Sequence, residues 1–448
     1  MVNSLEKKVN EMSKKYVVTS AQYGARVNKN FLKSLNMYAK YNNAEILMLP
    51  IKGSYKDRDE MSKNLDDYHF IHRDSKLNNK IRVYNYAIRP QQIDPVSGLG
   101  RLTQSDVSTI FASPKLRMKV IPNSNTKLPK VLMTTGAVTL PDYRDNRVGK
   151  IGEHDHTYGA IIIETEGNNK YQYRQLNSLK NGKFCDLGVL YNGNNKPKKV
   201  RPEAMVLGDW HFGDLNKKVE EETYSMIKKY KPKRIILHDL FDGSSINYWD
   251  KNKIATKARK KNKLNLNKEL KGVYDNLKKI VKLSPKDSEI IVVRSNHDER
   301  LDRYIEGGDF IYEPQNTYLG AKLLQDKIEG GNLLEKSLSA YGKIPDNVNF
   351  LNLDEDYKYK GWQLGVHGHK GASGARGSIR SIEYANGKSI TGHSHSPQIF
   401  RNAWVVGTST KLKLDYVKGF SGWMNTHAML YNTGTTQLIN IINGKHRY

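Results

Sequence analysis

The chain has 448 residues, room for two or three domains of ordinary size, and needs no disulfide or metal staple to fold. With 38% hydrophobic and 27% charged residues and 27 tyrosines it is not a disordered polyelectrolyte, and its single cysteine, Cys185, excludes an intrachain disulfide and fits a reducing, cytoplasmic setting. Lys and Arg number 73 against 46 acids, a net charge of +27 that favours a polyanionic partner, nucleic acid first.

In chain order, the opening segment through Tyr16 lacks the apolar core of a signal peptide, and no later stretch reaches the roughly 18 apolar residues of a membrane span, so no membrane partner is expected. Tyr16–Thr19 reads as a short strand. Phe31, Leu32, Leu35, Tyr38 and Tyr41 follow at helical spacing, and Ile46–Pro50 as a buried strand. This β-α-β unit predicts a parallel sheet. Further strands are expected at Arg117–Ile121, Lys130–Thr134 and Gly159–Glu164. A turn at Glu166–Lys170 should close a hairpin, and Asp186–Tyr191 reads as one more strand. The polar stretch Asn192–Lys199, with its Gly and Pro, is the expected boundary between a domain at 1–198 and one at 199–448.

The second half begins with strands at Ala204–Leu207 and Arg234–Leu237, with a helix over Glu220–Tyr230 between them. From Lys251 to Lys286 thirteen basic residues stand against two acids, around Arg259, Lys260 and Lys261, and the later part has helical spacing. Strands at Ile290–Val293, Gln363–His367, Ser389–Thr391 and Ala403–Gly407 complete the pattern.

Five apolar runs in this half end in residues able to bind metal. They are Asp209 and His211, whose i, i+2 spacing points both side chains one way on an extended chain; Asp239 and Asp242; Asn296, His297 and Asp298; His367; and His393 and His395. Sites in α/β sheets form beyond the carboxyl ends of strands, so five such loops would gather Asp, His and Asn ligands for a divalent cation. His154-Asp155-His156, His369 and His427 read as ordinary loop residues. The glycine-rich run Gly371–Gly377, with Arg376 and Arg380, reads equally as a phosphate-approaching loop or a mobile connection.

The order D-x-H, D-x-x-D, N-H-D, H and G-H-x-H, across 204–448, resembles the calcineurin-like metallophosphoesterase superfamily. His238 and Ser295 stand where that family usually has glycine before the ligand. The resemblance implies a C-terminal αββα sandwich, preceded here by a smaller α/β domain. It implies two divalent ions, manganese first, with magnesium, iron or zinc as alternatives. Asp209, His211 and His395 would hold one ion and Asn296, His367 and His393 the other, with Asp239 bridging. His297 would act at the scissile phosphate as general acid or charge stabiliser, Asp242 would fix a ligand, and Asp298 would orient the His297 imidazole. Activated water would attack phosphorus in line with the leaving oxygen.

For the substrate, the net charge, the basic segment with Arg259, Lys260 and Lys261, the phosphate candidate Arg300, and a second motif resembling that of DNA-break-repair nucleases point to a DNase, of a phage type acting in a host cytoplasm. The alternatives are a phosphatase or phosphodiesterase for a small or protein substrate, and a nucleic-acid-binding or assembly protein with a vestigial site. A homo-oligomer is compatible with either.

Overall fold

The computed structural model describes residues 13–51, 60–89, 92–103, 106–123, 128–250, 253–259, 263–353, 355–414, 417 and 419–448. Over these the chain is mixed α/β. The first β-α-β unit forms as the sequence predicts: Lys14–Gln22 pairs in parallel with Glu45–Ile51 through the helix Lys29–Asn42. Asn28 caps that helix by accepting the Phe31 N–H, and Phe31, Leu32, Leu35 and Tyr38 form its buried stripe. The hairpin also forms, Tyr158–Glu166 against Lys170–Ser178. Asp186–Tyr191 is not one strand but two, Phe184–Asp186 and Val189–Tyr191. Leu187 (φ 45°) and Gly188 (φ 76°) both adopt the left-handed conformation of a two-residue hairpin turn.

The sheet that carries the second half runs in the order Val348–Phe350, Glu289–Val292, Arg234–Leu237, Ala204–Val206, Thr426–Leu430, Thr436–Asn440, with the first four strands parallel and the last two antiparallel to their neighbours. Its residues alternate between two cores. Met205, Ile235, Leu237, Ile290 and Val292 pack with Val219 and Ile227 of the helix Lys217–Tyr230 and with Leu270, Val273 and Leu277 of the helix Leu266–Leu283. Val206, Ile236, Ile291 and Val293 join a second core with Met118, Met133, Trp362, Ile399 and Trp404.

That second core belongs largely to a ten-stranded sheet drawn from both halves of the sequence. Ser75–Asn78, Ile81–Tyr84, Ser108–Phe111, Lys130–Thr134 and Arg117–Ile121 are joined to Gln398–Phe400, Ala403–Val405, Ser389–Thr391, Trp362–Gln363 and Lys358–Tyr359. The junction is antiparallel, Ile399 opposite Met118 and Phe400 opposite Arg117. Strand pairing and core packing therefore cross residue 198. The polar stretch expected to be a boundary there is a connection whose last two residues, Lys198–Lys199, pair with Val189 and Leu190. Among the described residues no helix is long and apolar enough to cross a membrane.

Candidate metal centre

The parallel strands Ala204–Val206, Arg234–Leu237 and Glu289–Val292 end at one edge, and their following loops stay in register. The Trp210 N–H donates to the His238 carbonyl (2.9 Å) and the His211 N–H to the Asp239 carbonyl (2.7 Å). Asp209 and His211, Asp239 and Asp242, and Asn296, His297 and Asp298 thus emerge side by side. His367, His393 and His395 arrive from the loops after Trp362–Gln363 and Ser389–Thr391 of the other sheet. His211 (φ 45°), Asp239 (φ 49°), His393 (φ 74°) and His395 (φ 55°) all hold left-handed backbone, a strained state that surrounding structure must enforce and that gathers at functional sites.

The side chains converge in two groups around one carboxylate. Ligand atoms of Asp209, His211, Asp239 and His395 all lie within 4.8 Å of one another. His211 Nε2 is 2.9 Å from His395 Nε2, and His395 Nε2 is 3.1 Å from Asp209 Oδ2. In the second group Asn296 Oδ1 is 3.0 Å from His367 Nε2 and 3.1 Å from His393 Nδ1. Asp239 Oδ2 stands between the groups, 3.2 Å from His211 Nε2 and 3.3 Å from His367 Nε2.

Two observations test whether these residues fit cations. Both oxygens of Asp209 and Oδ1 of Asp239 are buried and accept no hydrogen bond; the 3.1 Å approach of His395 to Asp209 Oδ2 is not aligned as one. Buried polar atoms are otherwise almost always paired, so these oxygens are candidates for binding a cation. The space before them is kept open by Gly392, since a Cβ there would lie 2.1 Å from Asp209 Oδ1. The donor set of carboxylate, imidazole and amide oxygen suits borderline to hard divalent ions.

Electrostatics agree. Burial pushes the carboxyls of Asp209 and Asp239 up, but neighbouring imidazoles, His395 foremost for Asp209 and His367 for Asp239, hold both below the ordinary range. Burial pushes the His211 imidazole down, and Asp239 and Asp242 overcome this and raise it to about 10. His367 is likewise raised against its burial by Asp239. The buried carboxylates thus favour protons on His211 and His367, and a divalent ion would displace those protons. His211 Nδ1 donates to Asp242 Oδ1 at 2.9 Å, fixing the ring as an outer carboxylate fixes a metal-binding histidine.

His297 donates from Nδ1 to the Asp242 main-chain carbonyl at 2.6 Å, which leaves Nε2 as the acceptor of a neutral ring. Burial pushes its imidazole down to about 3. Asp298 does not orient this ring as expected. Its Oδ2 accepts the Ser295 N–H at 2.9 Å, and burial raises the carboxyl to about 7, so it shapes the loop that presents Asn296 and His297. Arg300 donates to the same Asp242 carbonyl at 3.1 Å and so lies beside His297. Arg259 ends the helix Ile254–Arg259, while Lys260 and Lys261 lie outside the described residues.

Other residues support the site, and two histidines expected in ordinary loops are not in loops: His427 lies in a strand and His154 ends the helix Arg147–His154. His427 sits in the strand Thr426–Leu430, where its Nδ1 accepts the Gly208 N–H at 2.8 Å and its Nε2 meets Thr223 Oγ1 at 2.8 Å. Burial pushes it down to about 3, so it stays a neutral acceptor anchoring the residue before Asp209. Glu269, in the first turn of the basic helix, accepts the Ser244 (3.0 Å) and Ser245 (2.9 Å) N–H groups just after Asp242. Trp423 packs edge-on against His395, with ring centroids 4.2 Å apart. His369 Nε2 lies 3.2 Å from Glu299 Oε1, a carboxylate shared with Lys370. His154-Asp155-His156 is structural: Asp155 pairs with Lys115 at 2.8 Å, and His156 donates to the Thr139 carbonyl at 2.8 Å.

The chain is 27% identical over 468 residues to Protein A1 of Escherichia phage T5, an alignment that covers 97% of this chain and 83% of that protein. No family model matches the chain. No solved structure matches it.

Proposed function

We propose that the chain is a two-metal phosphodiesterase that cleaves DNA, built on a metallophosphoesterase-type sandwich. The observation that carries this reading is the position of Asp239 Oδ2 between His211 and His367, beside the unpartnered oxygens of Asp209. The sandwich reading draws support from the two cores on opposite faces of the parallel strands, helices on one and a second sheet on the other.

Asp209, His211 and His395 would hold one ion, Asn296, His367 and His393 the other, and Asp239 both; manganese is the first candidate, with magnesium, iron or zinc as alternatives. When bound, such ions activate water and neutralise phosphate charge. Asp242 keeps the His211 ring in its ligating orientation. His297, held by the Asp242 carbonyl, presents Nε2 toward the reacting phosphate, whose negative charge favours protonation of the ring and delivery of that proton to the leaving oxygen. Arg300, on the same carbonyl, is placed to contact a phosphate oxygen.

DNA as substrate rests on the net charge of +27 and on the helix Leu266–Leu283, whose outer face carries the exposed Lys268, Lys271, Lys278, Lys279 and Lys282. The likeness to a protein of Escherichia phage T5 is in keeping with a phage nuclease working in a host cell. Incubation with plasmid DNA and with an aryl phosphodiester, each with Mn²⁺ and with excess chelator, tests the reading. Chelator-sensitive cleavage of the plasmid is expected. Turnover of the aryl ester with intact plasmid would make the chain a small-molecule esterase. No turnover of either would leave a binding or assembly protein.

A further inference from the structure

Beside His297 lies a cavity of about 530 Å³ between the loop that follows Asp242 and the helix Asp298–Glu306. Ile246, Tyr248, Arg300, Arg303, Tyr304 and Asp309 line it. Its size falls in the range of small-ligand sites. One shared acceptor links its wall to the candidate metal centre, since the Asp242 carbonyl accepts from both His297 Nδ1 (2.6 Å) and Arg300 Nη1 (3.1 Å).

The walls divide by chemistry. Arg300 and Arg303 supply guanidinium groups on one helix face. Arg303 pairs with Glu299 at 3.6 Å, and its side chain is 65% exposed. Ile246 and Tyr304 form a buried apolar floor, and the Tyr304 hydroxyl is engaged with Glu313 Oε2 at 2.7 Å. At the rim Tyr248 is 69% exposed, a large ring held at the surface beside cations. Asp309 adds one carboxylate to the wall. Anion-binding groups next to an apolar floor and an exposed aromatic ring match one ligand class, a nucleotide: phosphate on the arginines, base on the ring.

We propose that this cavity receives the nucleotide that flanks the scissile phosphate, with its phosphate on Arg300 and Arg303 and its base stacked on Tyr248. The proposal rests on the phosphodiesterase reading above and deepens it. A base that lies on Tyr248 has left the duplex stack, so cleavage is favoured in single-stranded DNA and requires, in a duplex, that the flanking base be extruded at the site.

The test compares kcat/KM for a single-stranded oligodeoxynucleotide with that for bis(p-nitrophenyl) phosphate, in the wild type, Tyr248→Ala, Tyr248→Phe and Arg303→Gln with Mn²⁺. Calorimetric titration of each protein with deoxyadenosine 5′-monophosphate runs alongside. Tyr248→Ala should lower the oligonucleotide-to-aryl-ester ratio about tenfold, through KM, and weaken the mononucleotide by a similar factor, as loss of base–aromatic stacking does. Tyr248→Phe should restore both, and Arg303→Gln should weaken mononucleotide binding. An unchanged ratio and unchanged mononucleotide affinity in Tyr248→Ala overturn the proposal, while continued hydrolysis leaves the phosphodiesterase reading standing. If the wild type hydrolyses neither substrate, that reading falls, and the mononucleotide titration alone decides whether the cavity binds nucleotides.

Discussion

Two clusters of buried acids in this molecule are handled in opposite ways. Where the five-stranded sheet of the first half meets the second half, Glu164 and Asp186 are buried and every carboxylate oxygen is bound. Arg174 reaches Glu164 Oε1 (2.7 Å) and Asp186 Oδ1 (2.8 Å), while Tyr38 (2.9 Å) and Gln437 (2.6 Å) complete Asp186 and the Tyr448 N–H (3.0 Å) completes Glu164. At the strand edge, Asp209 and Asp239 are as deeply buried but keep oxygens without hydrogen bonds, on a backbone with four left-handed residues. In the first cluster every carboxylate oxygen has a partner and Arg174 Nη1 is left without one; in the second the atoms without hydrogen bonds are the carboxylate oxygens themselves. Burial and residue type do not separate the two, but the accounting of partners does.

The comparison breaks hardest at the shared carboxylate. Asp239→Asn should retain the fold, because its neighbours come from separate strand ends, yet lose roughly 10³-fold or more in phosphodiester turnover, since several kcal/mol of charge stabilisation depend on that site. Circular dichroism and turnover measured on one preparation check this; near-wild-type turnover would remove Asp239 from the site. His297→Asn should keep its metal and slow cleavage by about 10²–10⁴-fold, the range of general acid–base work. Metal analysis beside the rate separates this from a ligand role.

The first cluster should respond in stability instead. Arg174→Met leaves two buried carboxylates unpaired and should cost about 3–5 kcal/mol in denaturant unfolding, with metal affinity of the folded fraction retained. The sign with pH follows from Asp186 and Glu164. Burial pushes both carboxyls up, but Arg174 outweighs it and holds them below their ordinary values. Their stabilising contribution is therefore fully present above the unfolded carboxyl range near pH 4 and is lost as pH falls below that range through their lowered folded values, so the wild type's advantage over Arg174→Met should shrink on acidification.

The smallest effect is expected at the basic helix. Leu266, Leu270, Val273 and Leu277 take its inner face, Lys271 pairs with Asp275 at 2.8 Å, and Lys279 pairs with Glu220 at 3.4 Å. Glutamine at Lys268, Lys278 and Lys282 should weaken DNA binding alike for all sequences, and should flatten the slope of log affinity against log salt by about 0.9 per lost phosphate contact. An unchanged slope marks a solvated helix face.

The candidate site was legible because each candidate ligand follows an apolar run within a few residues, so local pattern alone placed Asp209, His211, Asp239, Asn296, His367, His393 and His395 after strand ends. The fold was less so. The pairing of Arg117–Ile121 with Gln398–Phe400 joins segments far apart in the chain, and nothing in either run names its partner. The turn at Leu187 was hidden because a non-glycine residue adopts the left-handed conformation there. His427 was missed because its role is to accept one N–H from a loop distant in sequence. The reversal of Asp298 has a similar cause: adjacency to His297 suggested a contact, but the helix that begins at Asp298 turns its carboxylate back to Ser295.

Metal stoichiometry tests the central claim most directly. Equilibrium dialysis against Mn²⁺, with bound metal counted per chain, should give two ions in the wild type and no more than one in Asp239→Asn, with protons released as His211 gives up its charge. A wild-type chain that binds no metal, or an Asp239→Asn chain that still binds two, would contradict the account.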